Sequence, residues 1–177
     1  MRAARGAMLT RKSREYWGLC FTAEEANSTI SMAKNSTPPE VSLKTSTDGK
    51  NWAPFVVGET TITLSKVGDK VYFAAGEGGN ANFASSAINY NHFILSGLLS
   101  ASGSINSLLN AETETMTLPS TYTFLRLFTG CKSLISAPNL PATTLASSCY
   151  YYMFYGCTSL TQTPALPAMT LANNCYR

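Results

Sequence analysis

Residues 130–150 read GCKSLISAPNLPATTLASSCY, and residues 156–176 read GCTSLTQTPALPAMTLANNCY. The offset is 26 throughout, and 13 of the 21 aligned positions are identical. Gly130 and Cys131 recur as Gly156 and Cys157, and Leu134 recurs as Leu160. Pro138, Leu140 and Pro141 recur as Pro164, Leu166 and Pro167. Leu145, Cys149 and Tyr150 recur as Leu171, Cys175 and Tyr176, and Phe128 lies 26 before Phe154. A shorter, earlier unit is visible from Leu118 to Phe128. A fixed period of this length is the sequence mark of coils stacked on one another.

The chemistry inside one unit predicts its parts. Thr143 or Thr144 is placed to cap a helix. Leu145, Cys149 and Met153 then fall four apart, on one face, with Phe154 at its border. Gly156 follows, where a left-handed residue ends a helix at little cost. Thr161–Leu166 reads as a short extended run stopped by Pro167. Each unit is therefore expected to be a helix or half-helix plus one short strand, and neither covers its apolar side alone. Pro138 and Pro164 each delete a backbone donor, so any ladder between units must be short.

At Met153-Phe154-Tyr155-Gly156-Cys157-Thr158-Ser159-Leu160, followed by Pro164-Ala165-Leu166-Pro167-Ala168, the sequence resembles the BspA-like leucine-rich repeats of bacterial surface proteins. The resemblance covers about residues 118–177. It implies a solenoid with a strand on one side and a helix-like segment on the other, and a non-catalytic role in binding or adhesion at the cell surface. Its expected partner is a host extracellular protein or glycan, and it supplies no catalytic residue. Arrays of this family are usually long. Two units ending at Cys175-Tyr176-Arg177 read as an array cut short.

Working outward, residues 16–117 read as strands. Cys20–Thr22, Thr29–Met32, Val41–Thr45 and Thr60–Leu64 are short runs with small, polar and apolar side chains alternating, and Val71–Ala75, His92–Leu98 and Ser102–Leu109 read as further strands. Asp48-Gly49 lies between two of them and signals a hairpin. Strands of this length at 8–12-residue spacing suggest an antiparallel sandwich. The expected fold is thus mainly β, with an α/β solenoid part: an antiparallel β-sandwich over 16–117 and about two leucine-rich-repeat units over 118–177. Residues 1–15 are expected to be a basic, disordered tail.

Composition narrows the function classes. Of the 177 residues, 45% are apolar and 13% are charged, about half the usual charged share. Ser and Thr number 20 and 21. The net charge of +3 comes from Arg2, Arg5, Arg11, Lys12 and Arg14, which leave eight basic against ten acidic residues in the rest. A weakly acidic body has no electrostatic grip on phosphate, which argues against nucleic acid. No run approaches the length of a membrane span. Ala7, Met8 and Leu9 are too short for the apolar part of a secretion signal. The expected location is nonetheless the cell surface or outside the cell, by resemblance. A phage tail-fibre or other virion module, which needs no such signal, is the alternative.

The chemistry-bearing residues are few. Five cysteines include two pairs spaced by the repeat itself, so buried free thiols are expected ahead of disulfides. Zinc is disfavoured because there is no C-x-x-C and His92 is the single histidine. Asp48, Asp69, Glu77 and Asn80 lack the spacing of a calcium loop. Gly76–Gly79 lacks the Lys and the following helix of a phosphate cradle. Glu24-Glu25 and Glu112/Glu114 are the close acid pairs and read as solvated surface. No catalytic residue, cofactor or metal ligand is therefore expected. Tyr150, Tyr151, Tyr152, Tyr155 and Tyr176 are the candidate contact residues, because tyrosine is favoured at interfaces, although packing between units would use the same rings.

Overall fold

A computed structural model describes residues 16–177; the expected tail at 1–15 lies outside them. The described chain is mainly β, with nine strands in two sheets. They are β1 (Cys20–Ala23), β2 (Ser28–Asn35), β3 (Leu43–Ser46), β4 (Ala53–Phe55), β5 (Thr61–Leu64), β6 (Lys70–Ala75), β7 (Tyr90–Ser96), β8 (Leu99–Ser102) and β9 (Leu134–Ser136). The larger sheet runs β4-β3-β6-β1-β8-β9 and the smaller β5-β2-β7. All pairings are antiparallel except β8 with β9, where Leu99 faces Leu134 and Ser100 faces Ser136. The larger sheet is therefore mixed, because β9, from outside the 16–117 span expected to form an antiparallel sandwich, joins it. β9 belongs to the first copy of the repeat and enters alongside β8 in the same direction. The Ser136 hydroxyl fastens it by donating to the Ala101 carbonyl at 3.0 Å.

The strands follow from side-chain alternation. In β2, Ser28, Ile30 and Met32 point inward while Thr29, Ser31 and Ala33 are half-buried. β6 is buried from Val71 to Ala75, as expected of a strand with neighbours on both edges. The Asp48-Gly49 turn joins β3 to β4 with Thr45 opposite Ala53. The Asp48 carboxylate accepts from the backbone N–H groups of Lys50 and Asn51, both at 2.8 Å, and from the Ser46 hydroxyl. Those bonds hold its carboxyl well below the usual carboxylate range. The predicted strand Ser102–Leu109 is only partly extended. It becomes a 3-10 turn at Ile105–Leu108, capped by the Ser104 hydroxyl, which accepts from the Asn106 N–H.

The two sheets meet through phenylalanine rings. Phe21 and Phe73 of the larger sheet sit 5.2 and 5.4 Å from Phe93 of the smaller, edge to face. Phe93 in turn stacks on Phe128 at 5.1 Å and 15°. One apolar core therefore runs from β1 through the first copy of the repeat into Met153 and Cys175.

The helix expected in each unit is absent. Residues 121–130 and 147–156 form rows of consecutive turns, and among the described residues the 3-10 turn is the one helical element. Hydrogen bonding explains why. In the first row, the N–H groups of Leu125, Leu127, Thr129 and Cys131 bond three residues back. The intervening N–H groups of Phe124, Arg126, Phe128 and Gly130 leave their own row and donate to the carbonyls of Cys149, Tyr151, Met153 and Tyr155. A helix would retain all of them. Left-handed backbone recurs every fourth residue, at Tyr122, Arg126 and Gly130, and again at Ser148, Tyr152 and Gly156. The Thr143 and Thr144 N–H groups, expected at a helix cap, both donate to the Met116 carbonyl.

Because Phe128 is fully buried and bridges the sheets to the second copy of the repeat, Phe128→Ala is expected to cost about 3–5 kcal/mol. In urea denaturation followed by far-UV and tyrosine signals, both probes should shift together. Ile88→Ala, at an exposed position, should stay within about 0.5 kcal/mol of the parent. Gly103 has φ +68, and a Cβ there would collide with the Gly18 carbonyl. Gly103→Ala should lower the denaturation midpoint sharply, since backbone cannot swing aside as a side chain can.

Candidate functional site

The second turn row, Ser147–Gly156, carries four of the five candidate tyrosines, and the structure separates them by depth. Tyr150 is buried and stacks between Phe124 (5.9 Å, 11°) and Tyr176 (5.6 Å, 5°). It is a packing residue, and Tyr176 continues the same pile, half-buried. Tyr151, Tyr152 and Tyr155 form a separate group on the outer side. The Tyr151 and Tyr152 rings are 4.2 Å apart, and Tyr152 and Tyr155 are 5.4 Å apart. Tyr155 is 64% exposed, while Tyr151 and Tyr152 are half-buried.

Arg126 was not singled out by sequence reading, yet it belongs to this group. Its guanidinium lies between the rings of Tyr90 and Tyr152, 5.5 and 5.1 Å from their centres. The contact is cation–π on both sides. Its position is legible in hindsight, since Arg126 lies 26 residues before Tyr152 and so stacks where a ring would otherwise recur. The hydrogen bond with Tyr152 raises the Tyr151 pKa, and the nearby positive charges of Arg177 and Arg126 offset that only in part. The surface is thus aromatic, with two cations at its margins.

The other candidates brace structure. Glu24 accepts from the Ser100 hydroxyl at 2.6 Å, and Glu25 accepts from the Leu98 N–H at 3.2 Å. Asp69 accepts from the Lys66 N–H at 2.9 Å. Glu112 and Glu114 are exposed and lie outside any strand. Asn80 ties its loop down: its Oδ1 accepts from the Ser42 N–H, and its Nδ2 donates to the carbonyls of Ser42 and Leu108. Among the described residues no group of three or more His, Cys, Asp or Glu comes together to hold a metal ion, and no helix is long and apolar enough to cross a membrane. His92 is half-buried beside Tyr90, and desolvation lowers its pKa, favouring the neutral ring.

All five cysteines are free thiols. Cys20, Cys131, Cys149 and Cys175 are buried and Cys157 is half-buried. Burial pushes the Cys149 thiol from 9.0 up to about 12 and the Cys157 thiol up to about 11. Cys131 is raised as well, by burial and by the neighbouring Cys157. Protonated, desolvated thiols are poor nucleophiles. Cys131 instead donates to the Phe93 carbonyl at 3.2 Å, and Cys157 to the Phe128 carbonyl at 3.0 Å.

No family model, curated protein or solved structure matches this chain.

The thiols make stability fall at alkaline pH. In the unfolded chain they ionise near 9.0, whereas in the folded chain Cys157 and Cys149 hold their protons to about 11 and 12. The unfolded state therefore binds fewer protons above pH 9, and the stability present below that pH is lost as pH climbs. Urea midpoints measured at pH 8, 10 and 11 should decline, and the decline should be shallower in Cys149→Ala. The Tyr150 hydroxyl is buried with no hydrogen-bond partner among the described residues. Tyr150→Phe should therefore leave stability unchanged or raise it by about 1–3 kcal/mol, whereas Tyr150→Ala should cost about 3–5 kcal/mol.

Proposed function

We propose that this chain is a non-catalytic binding protein, a surface adhesin built on stacked coils of the BspA-like leucine-rich type. The contact face is the group Tyr151, Tyr152 and Tyr155 with Arg126 and Arg177. The observation that carries the reading is the cluster of half-buried Tyr151 and Tyr152 with exposed Tyr155 on a row of turns held by backbone hydrogen bonds. Tyrosine brings large contact area at small conformational cost, and its hydroxyl accommodates polar ligands. The row beneath donates N–H groups of Phe124, Arg126, Phe128 and Gly130 into the tyrosine row, which holds the rings in place before a ligand arrives. Glu24 and Glu25 brace a strand edge, Glu112 and Glu114 are exposed, and the thiols pack, which supports a binding role. The partner in this reading is a host extracellular protein or glycan, with anionic groups favoured by the two arginines.

The chain should be titrated against immobilised extracellular-matrix proteins and a glycan array. Binding is expected to weaken at least about tenfold in Tyr155→Ala, a loss of about 1.4 kcal/mol. Tyr155 is exposed, so its removal should leave the denaturation midpoint in place. Retained binding in Tyr155→Ala and Tyr151→Ala, or silence across the whole panel, overturns the proposal.

A further inference from the structure

Among the described residues the one ion pair is Lys34 with Glu40. Arg126 therefore has no carboxylate beside it, although it is half-buried in a row that also holds Phe124, Leu125, Leu127 and Phe128. Its Nε is buried without a hydrogen-bond partner. Its neighbours are aromatic instead, with Tyr90 at 5.5 Å and Tyr152 at 5.1 Å. Ring faces attract a cation, but they are weak hydrogen-bond acceptors. A guanidinium carries its five N–H groups in its own plane. Rings on either side stabilise the charge and leave that edge without an acceptor.

Backbone contacts build this placement. Tyr90 opens β7, where it pairs with Asn35 of β2 and bridges Ala84. The Arg126 N–H donates to the Tyr151 carbonyl at 3.0 Å, and the Arg126 carbonyl accepts from the Thr129 N–H at 2.9 Å. The Tyr152 carbonyl accepts from the Tyr155 N–H at 3.1 Å, and its ring lies against those of Tyr151 and Tyr155. Arg126 thus lies between two layers, the strand region on one side and the second turn row on the other.

We propose that Arg126 is the anion-recognising residue of the tyrosine face, and that the group it takes is the carboxylate of an acidic sugar in a glycan. A carboxylate is flat and has two acceptor oxygens, which match two parallel N–H groups of the guanidinium fork. Rings on both sides hold the fork in place before the ligand arrives, which lowers the cost of binding. The apolar C–H face of a pyranose packs on the negative face of a tyrosine ring, and Tyr151, Tyr152 and Tyr155 supply such rings beside the cation. A single guanidinium suits a single carboxylate. Acidic peptide motifs are held by clusters of arginines, and strongly sulfated polymers need a basic surface. The chain from Glu15 onward carries eight basic against ten acidic residues. This inference rests on the tyrosine group being the contact face, and it names the residue that selects the ligand.

The probes are three oligosaccharides alike except at the terminal sugar: glucuronic acid, its methyl ester, and glucose. Each is titrated calorimetrically into the full chain. The acid is expected to bind at least about tenfold more tightly than the ester or glucose, as a charge-assisted bidentate contact warrants. Arg126→Met should abolish the difference between acid and ester, and Arg126→Lys, which keeps the charge without the fork, should retain part of it. A purely structural role would weaken all three ligands together and leave their ratio unchanged, which overturns the proposal. Equal binding of acid and ester by the parent chain also overturns it. That comparison needs no variant, so it decides the matter even where Arg126→Met fails to fold. Tighter binding of a glucose 6-sulfate terminus, or of a polyglutamate peptide, overturns it too, because the selected group or the class of partner would then differ. Binding that depends on Tyr155 but ignores the carboxylate sinks this inference and leaves the binding role standing. Silence toward every glycan sinks it as well, and the matrix-protein panel then decides the binding role separately.

Discussion

Alternating backbone donation in the turn rows is the constraint from which the rest of the repeat region follows. In the first row every second N–H bonds within the row, and the N–H groups between them, from Phe124 to Gly130, cross to the next row. A helix has no donors to spare for a neighbour, and an isolated run of turns leaves half of its donors without partners. Each row is therefore stable only with another beside it. The crossing bonds fix the separation, and the rings of Phe93, Phe128 and Phe154 then fall into one pile with interplanar angles of 15° and 9°. The left-handed residues that make the turns possible are costly for side chains such as those of Tyr122, Arg126 and Tyr152. The hydrogen bonds and ring stacking on both sides hold them there.

This arrangement ties the repeat to the sheets more closely than the composition change near residue 118 suggests. Leu134 enters opposite Leu99, Phe128 packs on Phe93, and the Cys131 thiol donates to the Phe93 carbonyl. The strand region supplies the first layer on which the repeat is laid. Rigidity at the tyrosine surface is inherited from that contact. Tyr150 holds its row from beneath while Tyr151, Tyr152 and Tyr155 face outward, and Arg126 locks Tyr152 to Tyr90 across the layers.

Several elements were legible from residues alone because their causes are local. The runs at Cys20–Thr22 and Thr29–Met32 alternate, Val71–Ala75 is apolar throughout as a strand with neighbours on both edges should be, and each lies within an observed strand. The Asp48-Gly49 turn joins β3 and β4 because Asp48 has its acceptors in reach of the next three residues. The helix failed because residues four apart share a face in a helix and also in a row of turns with a left-handed residue every fourth position. Leu145, Cys149 and Met153 satisfy both patterns, and no side chain reports where a backbone N–H will donate. The candidate site divided for the same reason. In Tyr150-Tyr151-Tyr152-Met153-Phe154-Tyr155 every ring is a possible core or surface residue, and the turn geometry alone chooses Tyr150 and Phe154 for the piles. Arg126 was missed because a lone arginine among apolar residues carries no sign that it will lie between two rings.

By itself the sequence determined periodicity, the apolar positions at each interval and the strands that alternation imposes, since these depend on residue type and short-range geometry. It also determined that the cysteines repeat with their neighbours. Only the tertiary structure decided that the repeat is made of turns, that β9 runs parallel to β8, and that Tyr150 is buried while Tyr155 is exposed. Each of these turns on which backbone groups pair across 25 or more residues, and such pairing is settled by the packing of whole layers.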